Sequence, residues 1–224
     1  MNTLKAEGGT QKAVKERPIL FSGPMVRALL DGRKTQTRRI VKVQPHMPQT
    51  NGCVLTVDGW QYTHLTGNSG KCELLQGESF LCPYGAPGDR LWVRENISKP
   101  FPDDVKARQF TGFYQATDSE RKIRWTPSIH MPRWASRITL EITGVRVERL
   151  QDISKEDAIA EGLYQWTHSH KDPAPYYGIQ HADVWETDPR KTYERLWGDI
   201  NGKESWAANP WVWVVEFKRV EAGA

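Results

Sequence analysis

Gly32-Arg33-Lys34-Thr35-Gln36-Thr37-Arg38-Arg39 is the stretch on which the reading of this chain turns. It follows Gly23-Pro24 and the apolar set Met25, Val26, Leu29 and Leu30, whose spacing predicts a helix opened by proline and ended by Gly32. A short strand is expected just before it, over Ile19 to Phe21. If the chain is extended after Gly32, then Thr35, Thr37 and Arg39 share one face. A lysine near a threonine hydroxyl can activate it where burial or neighbouring cations lower the lysine pKa. The same residues also read as a basic, solvent-facing strand edge.

Working outward, residues 1–17 are polar without an apolar period and read as a tail, with the domain starting near Pro18. Residues 44–80 are rich in Gly, Pro, Asn and Gln and read as an insertion, with one hairpin turning at Asp58-Gly59 between Cys53–Val57 and Trp60–Leu65. Leu91-Trp92-Val93 reads as a buried strand after the Ala86-Pro87-Gly88-Asp89 turn, and Phe110–Ala116 as another within a second insertion, 96–130. Ser136–Leu150 carries the longest strand signal; its alternation slips phase at Gly144, which reads as a bulge. Ser154 is placed to cap a helix that stops at Gly162. Residues 164–187 read as a polar, aromatic loop and third insertion, Asp188-Pro189 as a helix start, and Trp211–Arg219 as the closing strand. Strands outnumber helices without a strand-helix repeat, so the expected fold is a single α+β domain, a small barrel with helices outside it.

The chain has 224 residues, 38% hydrophobic and 26% charged, enough to bury a core without staples. No apolar run approaches the roughly 20 residues of a membrane helix. Three cysteines, Cys53, Cys72 and Cys82, are too few for a disulfide framework, so a cytoplasmic setting is expected. P-loop, GxGxxG, GxSxG and HExxH signatures are absent. Between Arg17 and Lys42 seven bases, Arg17, Arg27, Arg33, Lys34, Arg38, Arg39 and Lys42, face one acid, Asp31, and residues 121–149 repeat the bias. A shared basic face would suit a polyanion; two separately solvated surfaces are the alternative.

His46 and His64 among the cysteines, and His168, His170 and His181 with Asp172 and Asp183, lack the close pairs of a zinc site, so neither metal nor cofactor is expected. Ten tryptophans exceed the usual share. Trp125 and Trp134 bracket a proline-stiffened loop with arginines nearby, suited to base stacking or to sealing one end of a barrel. His130, Arg133 and Trp134 are the candidate nucleic-acid contacts there.

Gly32, Lys34, Thr37 and Arg39 complete a G-x-K-x-x-T-x-R pattern. With the Gly88-Asp89 turn, the Ser154–Gly162 helix with its late Glu161, and the Trp211–Phe217 strand, it resembles the ASCH family of the PUA-like superfamily. The resemblance spans most of residues 18–220. The blocks Cys82–Gly85, Pro127–Trp134 and Asn209–Trp213 look more like prophage-encoded ASCH proteins. The resemblance implies a PUA-like small β-barrel binding RNA or nucleosides. Small bacterial members include amidohydrolases of N4-acetylcytidine that use a lysine, a threonine and a glutamate. By motif these are Lys34, Thr37 and Glu161, with Glu156 or Asp157 as other acids for the third role. The implied division of labour is Thr37 as nucleophile, Lys34 as base or charge stabiliser, and Glu161 handling the leaving amine's proton. Arg33, Thr35, Arg38 and Arg39 are the accompanying substrate or nucleic-acid contacts. The partner is then a modified nucleoside, RNA or single-stranded DNA. A non-catalytic RNA or DNA reader, a ribonuclease and a virion structural part are the competing classes.

Overall fold

The computed structural model describes residues 13–42, 44, 53–56, 59–62, 64–65, 72–73, 81–169, 172–179 and 185–220, with the backbone alone described for 53–73, 168–169 and 172–173 within these ranges. In chain order the elements are β1 (Glu16–Leu20), α1 (Gly23–Leu30), β2 (Gln36–Ile40), β3 (Cys53–Thr56), β4 (Gly59–Tyr62), β5 (His64–Leu65), β6 (Cys72–Glu73), β7 (Arg90–Arg94) and β8 (Ile97–Ser98). There follow α2 (Pro102–Ala107), β9 (Trp125–Thr126), β10 (Thr139–Arg149), α3 (Lys155–Ala160), β11 (Tyr164–Ser169), β12 (Asp172–Gly178), β13 (Trp185–Glu186), α4 (Pro189–Asn201), α5 (Glu204–Ala207) and β14 (Trp211–Val220).

The central sheet has the order β1-β7-β10-β14-β2, with β1 parallel to β7 and the other pairs antiparallel. β14 is apolar from Trp211 to Val215 because both of its faces are covered. Trp213, Val215 and Phe217 pack with Ile19, Phe21, Leu91, Val93, Leu140 and Ile142 on the α1 side. Val212 and Val214 pack on the opposite face with Leu150, Ala158, Tyr177, Tyr193 and Trp197, contributed mainly by α3, β12 and α4. Leu91 and Leu140 are fully buried, each adding about 2 kcal/mol of apolar transfer energy.

The class is α+β. The expected barrel is not closed among the described residues: β1 and β2 are the two edges of the sheet and no ladder joins them. The Arg39 side chain spans that gap, its Nη2 donating to the Leu20 carbonyl at 2.7 Å. β1 begins at Glu16, two residues before the expected domain start, because Asp89 accepts hydrogen bonds from Lys15 N and Arg17 Nη1. The slip at Gly144 is a register shift in the β10–β14 ladder, as the phase change predicts.

Two expectations are corrected. Residues 110–116 form no strand: Tyr114 makes an isolated bridge to Ile97, and side chains take the backbone groups a ladder would use. Ser98 Oγ accepts from Phe113 N and Asp118 Oδ2 from Tyr114 N, the usual competition of short polar side chains with a sheet. Residues 164–187 are not simply a loop, since β11, β12 and β13 form a three-stranded sheet there. Prolines hide it: Pro175 pairs with Thr167, in a part of β12 that β13 does not reach.

Residues 1–12 of the expected tail, the Asp58 turn residue, His46, His170, His181 and Asp183 lie outside the described residues. No helix among the described residues is long and apolar enough to cross a membrane.

Candidate functional site

Two helix ends meet to build the site. At the end of α1, Gly32 adopts φ +73°, and the Arg33 and Lys34 amides both donate to the Ala28 carbonyl, folding the chain back beneath the helix. At the end of α3, Glu161 pairs with Lys34 in an isolated antiparallel bridge, and Thr35 N donates to the Ala160 carbonyl. Ser154 Oγ fixes the other end of α3 by accepting from Asp157 N at 3.0 Å. Gly162 permits the approach: its φ is +103°, and a Cβ there would lie 2.9 Å from Ala28 Cβ and 3.0 Å from Lys34 Cβ.

Lys34 Nζ donates to Glu161 Oε2 at 2.7 Å and to the Glu161 carbonyl at 2.9 Å, at the negative end of α3. The Lys34 side chain is 0% exposed. Burial pulls its pKa below the ordinary lysine value, with the Glu161 carboxylate opposing that shift. Glu161 Oε1 accepts from Arg38 Nη1 at 3.2 Å. Arg38 also donates to Glu148 Oε1, at 3.0 Å from Nε and 2.5 Å from Nη2, and to Asp157 Oδ2 at 2.7 Å. Arg146 closes the network through Glu148 (3.0 Å), Asp157 (2.5 Å) and Glu216. Tyr193 lies against this group, with the Arg38 guanidinium 5.9 Å from its ring centre, and burial pushes its phenol well above the ordinary value.

Glu161 reaches a cavity of about 120 Å³ that is lined also by Thr37, Arg38, Arg39, Tyr84 and Tyr193, with Met25, Leu196 and Ile200 among its apolar walls. β2 places Thr37 opposite Val215 on β14, and α4 supplies Tyr193, Leu196 and Ile200 from one stripe at i, i+3 and i+7. A second cavity, of about 370 Å³, shares Met25, Arg39 and Ile200 with the first. A depressed lysine pKa, a carboxylate in contact with it and a threonine at the same cavity wall are parts suited to proton transfer beside a nucleophile.

The structure brings Lys34, Thr37, Arg38, Arg39 and Glu161 together. Of the three acids considered for the third role, Glu161 touches Lys34, Asp157 touches Arg38, and Glu156 is exposed. Arg38, expected among the nucleic-acid contacts, is instead enclosed and saturated by three carboxylates, so it positions Glu161. Arg33 lines neither cavity; it donates to the Gly162 carbonyl at 2.5 Å and stacks 3.6 Å from the Tyr164 ring centre. Thr35 is exposed, and its carbonyl accepts from Phe217 N.

His130, Arg133 and Trp134 do not line these cavities. Arg133 is engaged by Glu16 at 2.9 Å, Trp134 packs against the cluster of Ile97, Met131 and Ala135, and His130 is exposed. Much of the basic excess is likewise consumed internally, with Arg137 held by Glu95 and Arg17 by Asp89. Sequence reasoning missed Glu148, Asn96 and Gln115 as site neighbours, and nothing in their local spacing marks them. Among the described residues no group of three or more His, Cys, Asp or Glu could hold a metal ion. No protein-family model, curated protein or solved structure matches the chain.

Proposed function

We propose that this chain is a nucleobase-binding protein of ASCH type, with a PUA-like architecture represented by the five-stranded sheet and α1, and that its Lys34–Thr37–Glu161 pocket hydrolyses the amide of an N4-acylated cytidine or a related modified base. The observation that carries this reading is the buried Lys34 amine, held 2.7 Å from Glu161, which lines a cavity together with Thr37. The G-x-K-x-x-T-x-R resemblance supports it independently.

In this reading the Thr37 oxygen adds to the acyl carbonyl carbon while its proton passes to the Lys34–Glu161 pair. Lys34 lies behind the cavity wall, so its proton exchange with the ligand runs through Thr37 or Glu161. Arg39 faces the oxyanion of the tetrahedral intermediate. The C–N bond then breaks, and the leaving amine takes a proton from the Lys34–Glu161 pair. Water hydrolyses the Thr37 ester, returning the threonine hydroxyl and releasing the carboxylic acid. The test is release of cytidine from N4-acetylcytidine by the purified chain, expected in the wild type and lost in Lys34→Ala.

One observation favours a second reading, a non-catalytic reader of single strands. Tyr164, Trp166, Tyr176 and Trp185 share one face of the β11–β13 sheet by register, whereas Tyr177 faces the core. Trp166 and Trp185 are 47% and 40% exposed with ring centres 6.1 Å apart. Such a face suits stacked bases. Absent turnover with salt-sensitive binding of single-stranded RNA or DNA, weakened by Trp185→Ala, would select this reading over hydrolysis.

A further inference from the structure

The 370 Å³ cavity beside the Thr37 pocket sets polar groups among the apolar walls of Leu20, Phe21, Met25, Ala116 and Ile200. Arg39, Asn96, Gln115, Ser128 and the start of α1 at Ser22 and Gly23 line it. Arg39 stands between the two cavities, lining both. Its Nη2 is fixed on the Leu20 carbonyl, while its buried Nε has no hydrogen-bond partner among the described residues. A buried donor left unpaired is costly, so an acceptor that reaches it gains more than at an exposed arginine.

The two amides in the same lining are held by each other and by the backbone. Asn96 Oδ1 accepts from Ser128 N at 2.8 Å, and Asn96 Nδ2 donates to Gln115 Oε1 at 2.8 Å. Gln115 N donates to the Asn96 carbonyl at 2.9 Å. With Gln115 Oε1 used as acceptor, its Nε2 is left as a donor. Ser22, the N-cap of the eight-residue α1, makes no side-chain capping bond, and Pro24 removes one N–H from the first turn. The one acid in the lining, Glu95, is neutralised by two hydrogen bonds from Arg137, at 2.8 and 3.0 Å. The polar part of the cavity therefore offers donors, with Arg39 its one cationic side chain.

We infer that this larger cavity is a phosphate subsite, so the ligand of the Thr37 pocket is a nucleotide rather than a free nucleoside, its phosphate meeting Arg39 and Gln115 while the base occupies the smaller cavity. The inference rests on the nucleobase reading above and names its substrate class more narrowly. A monoester of a free nucleotide and a diester within a strand present the same oxygen acceptors.

The experiment is calorimetric titration of the full chain with cytidine, with cytidine 5′-monophosphate and with a short single-stranded oligonucleotide of the same base, with inorganic phosphate as competitor. The phosphorylated ligand is expected to bind at least about tenfold more tightly than cytidine, with the gain shrinking as salt rises and under phosphate competition. Gln115→Glu, which keeps the size and the acceptor but replaces the donor, and Arg39→Met should each reduce the gain to about twofold or less. A gain with the monophosphate assigns a monoester; a gain with the strand alone assigns a diester. Equal affinity for all three ligands, or a gain retained in both variants, overturns the subsite. The two readings fail separately: turnover of acylated cytidine without a phosphate gain sinks the subsite, and a phosphate gain without turnover sinks the hydrolase.

Discussion

Replacing Glu161 by Gln removes one negative charge from a group whose two nearest cations have fully enclosed side chains. The glutamine would keep the size, but Lys34 Nζ and Arg38 Nη1 would lose the carboxylate that each contacts, at 2.7 and 3.2 Å. Breaking a buried pair from one side costs about 3–5 kcal/mol. Two features limit the loss: Arg38 keeps Glu148 and Asp157, and Lys34, whose pKa burial already lowers, can shed its proton. The lower end, about 3 kcal/mol, is therefore expected for Glu161→Gln. Lys34→Met should cost less, because Glu161 keeps its bond from Arg38 and an apolar side chain replaces a desolvated one. The double variant should cost less than the two single losses together, with a coupling of about 1–3 kcal/mol. Urea unfolding of the four proteins, with m held constant, measures all of these terms. Additive single losses, or a Glu161→Gln cost under about 1 kcal/mol, would refute the claim that this pair is a coupled buried unit.

Gly162→Ala should destabilise by about 1–3 kcal/mol, since φ is +103° and its Cβ would press on Ala28 and Lys34, and thermal melting against a Gly32→Ala control, where no atom lies within 4 Å, separates strain from crowding. Ser154→Ala removes the cap of α3 and should lower stability by about 1 kcal/mol, read from the urea midpoint. Asp157 has a pKa below the usual carboxylate value, with burial opposed by hydrogen bonds and charge from Arg38 and Arg146. Its contribution is therefore complete above the unfolded value of about 3.9 and is lost as pH falls through the folded one; Asp157→Asn should flatten the acid limb of the stability curve in that range. Arg133→Gln removes an exposed ion pair with Glu16 and should change stability by no more than about 1 kcal/mol, without altering ligand affinity in the Thr37 pocket.

Local signals made part of this architecture legible. Gly32 and Gly162 mark the two helix ends that meet at Lys34, Ser154 and Asp188 cap as their positions suggest, and the phase slip at Gly144 is a true register shift. The apolar run of β14 reports a strand covered on both faces. What stayed hidden is long-range or side-chain dependent. The β11–β13 sheet is masked by Pro173 and Pro175, and residues 110–116 lose their strand because the Ser98 and Asp118 side chains take the Phe113 and Tyr114 amides. Arg38 looked like a surface cation because its neighbours in sequence are basic. Its three carboxylates come from positions 148, 157 and 161, too distant for spacing to reveal. The same holds for Asn96 and Gln115, which share a cavity with Arg39 only once the chain has folded.

The measurement that tests the central claim most directly compares hydrolysis of N4-acetylcytidine and its 5′-monophosphate by the wild type, Thr37→Ser and Thr37→Ala, with matched unfolding midpoints as a fold check. If Thr37 is the nucleophile at this cavity, the serine variant keeps turnover within about tenfold and the alanine variant loses at least about a hundredfold in kcat. Turnover by Thr37→Ala at the wild-type rate, or no turnover by any of the three with midpoints unchanged, would contradict it.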